Sequence, residues 1–180
     1  PLPSASPNIR SFAIATGHIA NHVGLKNNKH TGNIGFIPDE DGTLRHIPSN
    51  ILYKNVVYYP LARALFDCCA KLTTPLITPF YGQLENTNKE GFSRVSFNKK
   101  LSAYTVLSAS SIFQNTVPHA WLKNKLVIIG SSSLSLSDRV STPLNASTSG
   151  FLVHAEILSD LLDTQEGKAP IALPGGLISV

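Results

Sequence analysis

The amino-acid sequence predicts an α/β domain in which a mixed sheet is flanked by helices. Two observations lead to this prediction: a β-hairpin signal near residues 32–49, and a strand, loop and helix pattern in the last third of the chain. In the hairpin, apolar or alternating runs at 33–37 and 43–47 flank the turn-forming segment PDEDG. An Asp-Gly pair between two such runs is a strong short-range signal for a hairpin.

The last third of the chain carries the clearest pattern. Residues 126–129 (LVII) form a continuous apolar run that ends at Gly130, which is typical of a strand buried on both faces. A long Ser-rich loop follows, and residues 150–163 then place apolar side chains on one face of a predicted helix. A strand, a long connection and a helix make one half of a βαβ unit, so this segment supports the α/β class.

The middle of the chain contains a second hairpin signal and further predicted elements. Residues 53–55 have the composition of a turn, with a return strand at 56–58. Pro60 fits the first position of a helix that we expect to run to about Leu72. Further elements are expected as strands at 76–81 and 94–97, and as a helix at 103–113.

Composition and charge exclude several classes of protein. The chain has 180 residues, of which 42% are hydrophobic and 14% charged, so it is long and apolar enough for one domain with a real core. The net charge of +4 comes from basic residues that are scattered along the chain rather than gathered with aromatic residues. We therefore expect no nucleic-acid partner. No stretch approaches the roughly 20 apolar residues of a transmembrane helix.

The two cysteines, Cys68 and Cys69, are adjacent. Neighbouring cysteines rarely form a disulfide, because the intervening peptide strains its geometry. The chain also lacks the C-x-x-C pairs that typically bind zinc. We therefore expect the two side chains to act as small core residues on a helix.

The loop after Gly130 and the helix that follows it hold the first candidate site residues. Sites in open α/β sheets lie at the carboxyl ends of strands, so Asp138 in this loop is a candidate ligand-facing carboxylate. The commoner role for such a residue is to satisfy loop amides or to pair with a cation. His154 and Glu156 lie near the helix start, where a histidine on an apolar face is more often a hydrogen-bonded core residue. No cysteine follows His154, which excludes a zinc-deaminase site.

Ser131, Asp138 and His154 could be combined into a catalytic triad, so an extracytoplasmic serine hydrolase stays open as an alternative. No activating motif such as G-x-S-x-G surrounds any of the three residues. The segment after Gly130 also lacks the glycine patterns of nucleotide-binding loops. We therefore expect neither a cofactor nor a metal ion.

The acidic turn before Gly42 supplies two more candidates, Asp41 and Arg45. It does not fit a calcium-binding loop, because Ile37 would occupy the first ligand position. We expect Arg45 to pair with one of the turn's acids, at well under ~1 kcal/mol if the pair is exposed. Both residues are kept as candidates for ligand binding or signalling.

Four sequence blocks occur in an order that resembles the CHASE domain of the second type, an extracellular sensory domain associated with cyclases and histidine kinases. The blocks are GNIGFIPDEDGTLRHIP (32–48), YYPLARAL (58–65), LKNKLVIIGSSSLSLSDRVSTPL (122–144) and GFLVHAEILSDLL (150–162). Three positions depart from the family pattern. Glu156 stands where the family usually has Asn, Ser149 stands where Pro usually precedes Gly150, and Pro60-Leu61 lacks the usual intervening Ser.

The resemblance implies a sensory, non-catalytic domain on the periplasmic side of the bacterial inner membrane. It would bind an unknown small molecule, ion or periplasmic protein and signal to a cytoplasmic cyclase, cyclic-di-GMP enzyme or kinase. Residues 1–168 would form one sensor-type domain, the carboxyl-terminal portion of a larger one, and residues 169–180 a linker to a membrane segment. A homodimer, and a purely structural dimerisation spacer, stay open. The expected ligand-binding or signalling residues are Asp138, His154, Glu156, Ser131, Asp41 and Arg45.

Overall fold

The computed structural model describes residues 13–17, 19, 22–25, 27–28, 30–70, 91–133 and 138–168. Helices and small sheets are mixed along these residues, which confirms the predicted α/β class. The strands are β1 (Ala13–Ile14), β2 (His46–Pro48), β3 (Ile51–Tyr53), β4 (Val56–Tyr58), β5 (Phe92–Arg94), β6 (Arg139–Thr142) and β7 (Asn145–Ser149). The α-helices are α1 (Leu61–Cys69), α2 (Ala109–Phe113) and α3 (Gly150–Gln165), and short 3-10 helices cover Val23–Leu25, Leu101–Ala103 and His119–Trp121.

The hairpin predicted around residues 53–58 is confirmed. β3 and β4 are antiparallel, and β1 adds to β3 in parallel to make a three-stranded sheet. The two turn residues, Lys54 and Asn55, have φ values of 47° and 64°. Positive φ at both central positions is the geometry that matches the twist of a two-residue hairpin.

The hairpin predicted near residues 32–49 is wrong, although its turn forms. The amide of Gly42 donates to the Asp39 carbonyl at 2.8 Å, and Gly42 has a φ of 77°. The two arms then pair with other parts of the chain. Asn33 forms a parallel bridge with Pro60, and Thr43 forms one with Ser141. Turn chemistry is local, whereas the partner of each arm is set by packing elsewhere in the fold.

The rest of that second arm also finds a distant partner. β2 pairs with β5 in antiparallel register, with Ile47 opposite Ser93. Burial alternates from Gly91 to Phe97, so that every second residue faces the interior. The alternation predicted for 94–97 is therefore present, but the hydrogen-bonded strand lies slightly earlier, at Phe92–Arg94.

The strand predicted at residues 126–129 is also corrected. This segment forms no strand within the part of the chain that the structure describes. Leu126 and Ile128 pack against the core, whereas Val127 and Ile129 are 49% and 91% exposed. The segment is thus buried on one side only, because alternate residues face the core and the surface.

The helices agree with prediction in position more than in length. α1 begins after Pro60 and ends at Cys69, short of Leu72. α2 covers only the end of the predicted 103–113 helix, because Ser108 caps it by accepting a hydrogen bond from the Ser111 amide at 3.1 Å. α3 confirms the helix predicted at 150–163.

The expectation that Cys68 and Cys69 would not pair is wrong, since a disulfide joins them at the end of α1. The peptide link between the two residues is trans. The disulfide therefore forms across a trans peptide, at the place where α1 ends and the chain becomes extended at Ala70.

The core lies where α3 packs against α1 and the inner faces of the strands. Its three most deeply buried large side chains are Phe66 of α1, Val153 of α3 and Leu44. The other core residues are Ile47, Ala62, Val95, Phe97, Ile157, Leu158 and Leu161. The core thus joins segments that are distant in sequence around a single 16-residue helix.

Two sequence-based expectations fall on residues outside the described part of the chain: the strand at 76–81 and the linker at 169–180. Among the described helices, none combines the length and hydropathy that crossing a membrane requires.

We predict that Gly32→Ala destabilises the fold. A Cβ atom at Gly32 would lie 2.4 Å from the Cα of Leu61, at the first residue of α1, and backbone cannot move away as a flexible side chain can. The expected loss is about 1–3 kcal/mol in the free energy of unfolding, measured by denaturant titration. The matched control is Gly17→Ala, whose Cβ would meet nothing within 4 Å. Equal effects of the two substitutions would contradict the close packing of Gly32 on α1.

Candidate functional site

The first turn of α3 is where two predicted site residues come together. β6 and β7 form an antiparallel hairpin, with Arg139 opposite Ser149, that returns the chain to its starting point. The Gly150 amide, at the start of α3, therefore donates to the Asp138 carbonyl at 2.7 Å. On the other side, Gly130 lies so close to Phe151 that a Cβ on Gly130 would come within 2.5 Å of the Phe151 Cβ. Both ends of the loop after Gly130 thus meet the helix start.

The Asp138 carboxylate occupies the space beside Gly150. A Cβ built on Gly150 would lie 2.3 and 2.5 Å from the two carboxylate oxygens. Only glycine allows this approach without displacing the carboxylate. A negative group at this place is favoured because the amino end of a helix carries a partial positive charge.

His154 lies one turn further along α3 and is only 3% exposed. Its ring packs against Phe36, with 4.9 Å between the ring centroids. Among the described residues, neither ring nitrogen has a hydrogen-bond partner. Burial lowers the pKa of His154, while the backbone of Ile34 and the charge of Asp138 act in the opposite direction. His154 is thus a buried residue of the core.

Ser131 is not placed to act with His154. Its side chain is exposed, and its hydroxyl accepts a hydrogen bond from the Ser133 amide at 3.2 Å. Since His154 has no hydrogen-bond partner among the described residues, the nucleophile and base contact that a serine hydrolase needs is absent here. The geometry does not support a hydrolase that uses Ser131 as its nucleophile.

Glu156 lies on a different side of α3, next to a cavity of about 300 Å³. The cavity is lined by residues 97–104, by the β6–β7 hairpin and by α3. Glu156 is 6% exposed, and its Oε2 atom has no hydrogen-bond partner among the described residues. Burial raises the pKa of Glu156, with a further contribution from the nearby charge of Asp160.

Two more buried polar groups surround Glu156. The Tyr104 hydroxyl lies beside it, and this contact lowers the pKa of Glu156 against the larger effect of burial. Burial raises the pKa of Tyr104, and the Glu156 carboxyl adds to the effect. Asp160, one turn along α3, accepts from the Ser96 amide at 3.0 Å through one oxygen, and its other oxygen has no partner among the described residues. Burial also raises the pKa of Asp160.

A lysine neutralises part of this acidic flank. Lys99 forms an ion pair with Asp163 and donates to the Ser159 hydroxyl, both on α3. This pair ties residues 97–104 to the helix along the edge of the cavity. It leaves Glu156 as the carboxyl group that faces the cavity itself.

Asp41 and Arg45 form a separate cluster at the turn. The Arg45 guanidinium binds Asp41 at 2.7 Å and Asp39 at 3.1 Å, which confirms the predicted pairing of Arg45 with the acidic turn. His46 contacts the other oxygen of Asp39 at 3.0 Å. The Arg45 contact holds the pKa of Asp41 well below its usual range. Such a network explains the turn's geometry without a ligand.

The structure thus divides the predicted site residues into groups. Asp138 and His154 meet at the start of α3, Glu156 faces the cavity, and Ser131 and the Asp41–Arg45 pair lie apart. No set of three or more histidine, cysteine or acidic residues is placed to hold a metal ion in the described part of the chain.

Sequence reasoning missed the neighbours of Glu156. Asp160 and Asp163 could have been found, since they follow Glu156 by four and seven residues on a predicted helix, a spacing that places all three on one flank. Tyr104 gave no such signal, because it lies about fifty residues earlier in the chain and reaches the site only through tertiary folding.

We predict that His154 makes stability fall below pH 6.5. Since burial lowers its pKa, the unfolded chain binds a proton first as the pH falls. The free energy of unfolding that His154 contributes above pH 6.5 is then lost as the pH falls toward the lower pKa of the folded state, by up to about 1.4 kcal/mol per pH unit. His154→Phe should flatten this part of the stability curve, measured by denaturant unfolding between pH 5 and 7, whereas the exposed-site control His119→Phe should not. An unchanged slope in His154→Phe would show that His154 is not buried as a neutral ring.

Comparison with known proteins gives one result. The family model described as CHASE2 domain matches residues 5–178, nearly the whole chain. Searches of curated proteins and of solved structures returned no match. CHASE2 domains are extracellular sensory domains rather than catalytic ones, in agreement with the order of sequence blocks. The chain belongs to the CHASE2 domain family.

Proposed function

We propose that this chain is the signal-input domain of a bacterial transmembrane receptor, on the periplasmic side of the inner membrane. Its signal in this proposal is a small molecule that binds in the cavity beside Glu156. Family membership supports the sensory role. The observation that favours a small-molecule signal is a buried carboxyl group, without a partner for one of its oxygens among the described residues, at the wall of a cavity.

Glu156 and Tyr104 form a buried polar pair at the wall of the cavity, and their contact partly offsets the effect of burial on the pKa of Glu156. A ligand that changed the burial or the hydrogen bonding of this pair would change the stability of the domain. The cavity, at about 300 Å³, is at the lower end of the range for small-molecule sites.

α3 offers a route from the cavity to the rest of the domain. The helix carries Glu156 on one flank and packs its apolar face against α1. A ligand that binds one arrangement of these helices better than another shifts the population toward it. In the proposed receptor, that shift would reach a cytoplasmic nucleotide cyclase, cyclic-di-GMP enzyme or kinase.

The disulfide between Cys68 and Cys69 supports the proposed location. Disulfides form and persist in oxidising compartments such as the bacterial periplasm, and they are rare in the cytosol.

We predict that the dialysable fraction of periplasmic extract raises the melting temperature of the intact, detergent-purified receptor, because a ligand that binds only the folded state stabilises it. Leu152→Trp, which places a larger side chain at the cavity wall, should remove this shift. The control is Leu25→Trp, at an exposed position that does not line the cavity. A melting temperature that the extract leaves unchanged would overturn small-molecule sensing, and an undiminished shift in Leu152→Trp would assign the ligand to another site.

A further inference from the structure

We propose that residues 106–129 form a surface that contacts an anionic lipid membrane. The proposal does not depend on the cavity or on its ligand, because no residue of this segment lines the cavity. It depends on three features of the segment: it contributes no fully buried side chain, it exposes aromatic and aliphatic groups, and its formal charges are all positive.

The segment exposes large apolar side chains. No residue from 98 to 133 is fully buried. Phe113 is 88% exposed, Trp121 53% and Ile129 91%. The other exposed apolar side chains of the segment are Val106, Ile112 and Val127. Single exposed apolar side chains are ordinary on protein surfaces, so it is their combination with the local charge that indicates a partner.

Trp121 and two lysines are held together by successive turns. The His119 carbonyl accepts a hydrogen bond from the Lys123 amide at 3.0 Å, and the Leu122 carbonyl accepts one from the Lys125 amide at 3.2 Å. Both lysines are exposed, and neither has an ion-pair partner among the described residues. An exposed indole ring and two uncompensated ammonium groups therefore project from the same short, hydrogen-bonded stretch of chain.

The charge on both sides of these turns has one sign. Residues 91–137 contain five lysine or arginine residues and no aspartate or glutamate, whereas the rest of the chain has 10 basic and 11 acidic residues. The excess positive charge of the chain is thus confined to about a quarter of its length. Two copies of such a surface would repel each other, which disfavours a homodimer that forms through it.

An anionic lipid surface fits this composition better than an acidic protein does. Every basic residue from 95 to 137 is a lysine, and protein interfaces are depleted in lysine and enriched in arginine. At a membrane surface, tryptophan and phenylalanine lie at the level of the headgroups, and lysine stems follow apolar groups while the ammonium stays in water. Charge attraction and apolar burial then act together on one segment.

The test measures binding of the full 180-residue chain to vesicles through the fluorescence of Trp121, the only tryptophan in the chain. The vesicles contain equal parts of phosphatidylglycerol and phosphatidylcholine, and control vesicles contain phosphatidylcholine alone. We expect the emission to shift to shorter wavelength with the anionic vesicles only. The affinity should fall at least about 10-fold between about 0.05 M and about 0.5 M salt, because salt screens the attraction. Unchanged emission, or an equal shift with the neutral vesicles, would overturn the proposal.

Two double variants separate the position of the charge from its total. Lys123→Gln combined with Lys125→Gln should weaken vesicle binding about 30-fold, because both lysines would lie near the anionic surface. The matched control, Lys54→Gln combined with Lys168→Gln, removes the same charge at exposed positions outside the segment and should have a much smaller effect. Equal weakening by the two double variants would overturn the proposal, since net charge alone would then explain the binding.

The apolar contact is tested by Phe113→Ala, which should weaken vesicle binding about 10-fold because it removes an exposed ring that the membrane would bury. The control is Ile37→Ala, whose side chain is 54% exposed beside the acidic turn and should not matter. Equal effects of the two substitutions would overturn the assignment of the surface. Analytical ultracentrifugation tests for a second copy as the occupant. Self-association that Phe113→Ala abolishes, without vesicle binding, would make the surface a protein interface and would also overturn the proposal.

Discussion

The packing of α3 against α1 is the constraint on which the rest of the structure depends. Val153 of α3 and Phe66 of α1 are almost completely buried, and the other inward residues of α3 extend this contact over its length. Once this face is fixed, the helical period decides where every other α3 side chain points. His154 is carried into the core, and Glu156 is carried to the flank beside the cavity. The buried polar groups are therefore a consequence of the helix packing that stabilises the fold.

This arrangement links stability to sensing in physical terms. The core around α3 stabilises the domain through apolar burial, while Glu156, Tyr104 and Asp160 bury polar atoms beside it. Such atoms reduce stability, and the reduction is recovered when a ligand or a rearrangement supplies hydrogen bonds. A sensory domain needs an equilibrium that its signal can shift by differential binding. In the proposed receptor, Glu156 at the wall of the cavity is the group through which a ligand would shift that equilibrium.

Local patterns in the sequence predicted the elements that depend on local chemistry. The β3–β4 hairpin and α3 were predicted because turn residues and apolar spacing act over a few positions. The hairpin near 32–49 could not be predicted correctly, because Asn33 and Thr43 pair with segments that the turn does not specify. Glu156 and His154 were identified as candidates from the sequence, but the cavity was not. Its wall depends on Tyr104 and on the β6–β7 hairpin, which meet α3 only through tertiary packing.

The central claim, that Glu156 is a buried carboxyl group at the wall of a cavity, is tested most directly by its ionisation. Site-specific carbon-13 NMR of the Glu156 carboxyl group, followed through a pH titration without added ligand, reports that ionisation alone. We expect a midpoint above the ordinary glutamate value of 4.5, because burial disfavours the charged form. A midpoint at or below 4.5 would contradict the claim, since it would show that Glu156 is solvated or already paired with a cation.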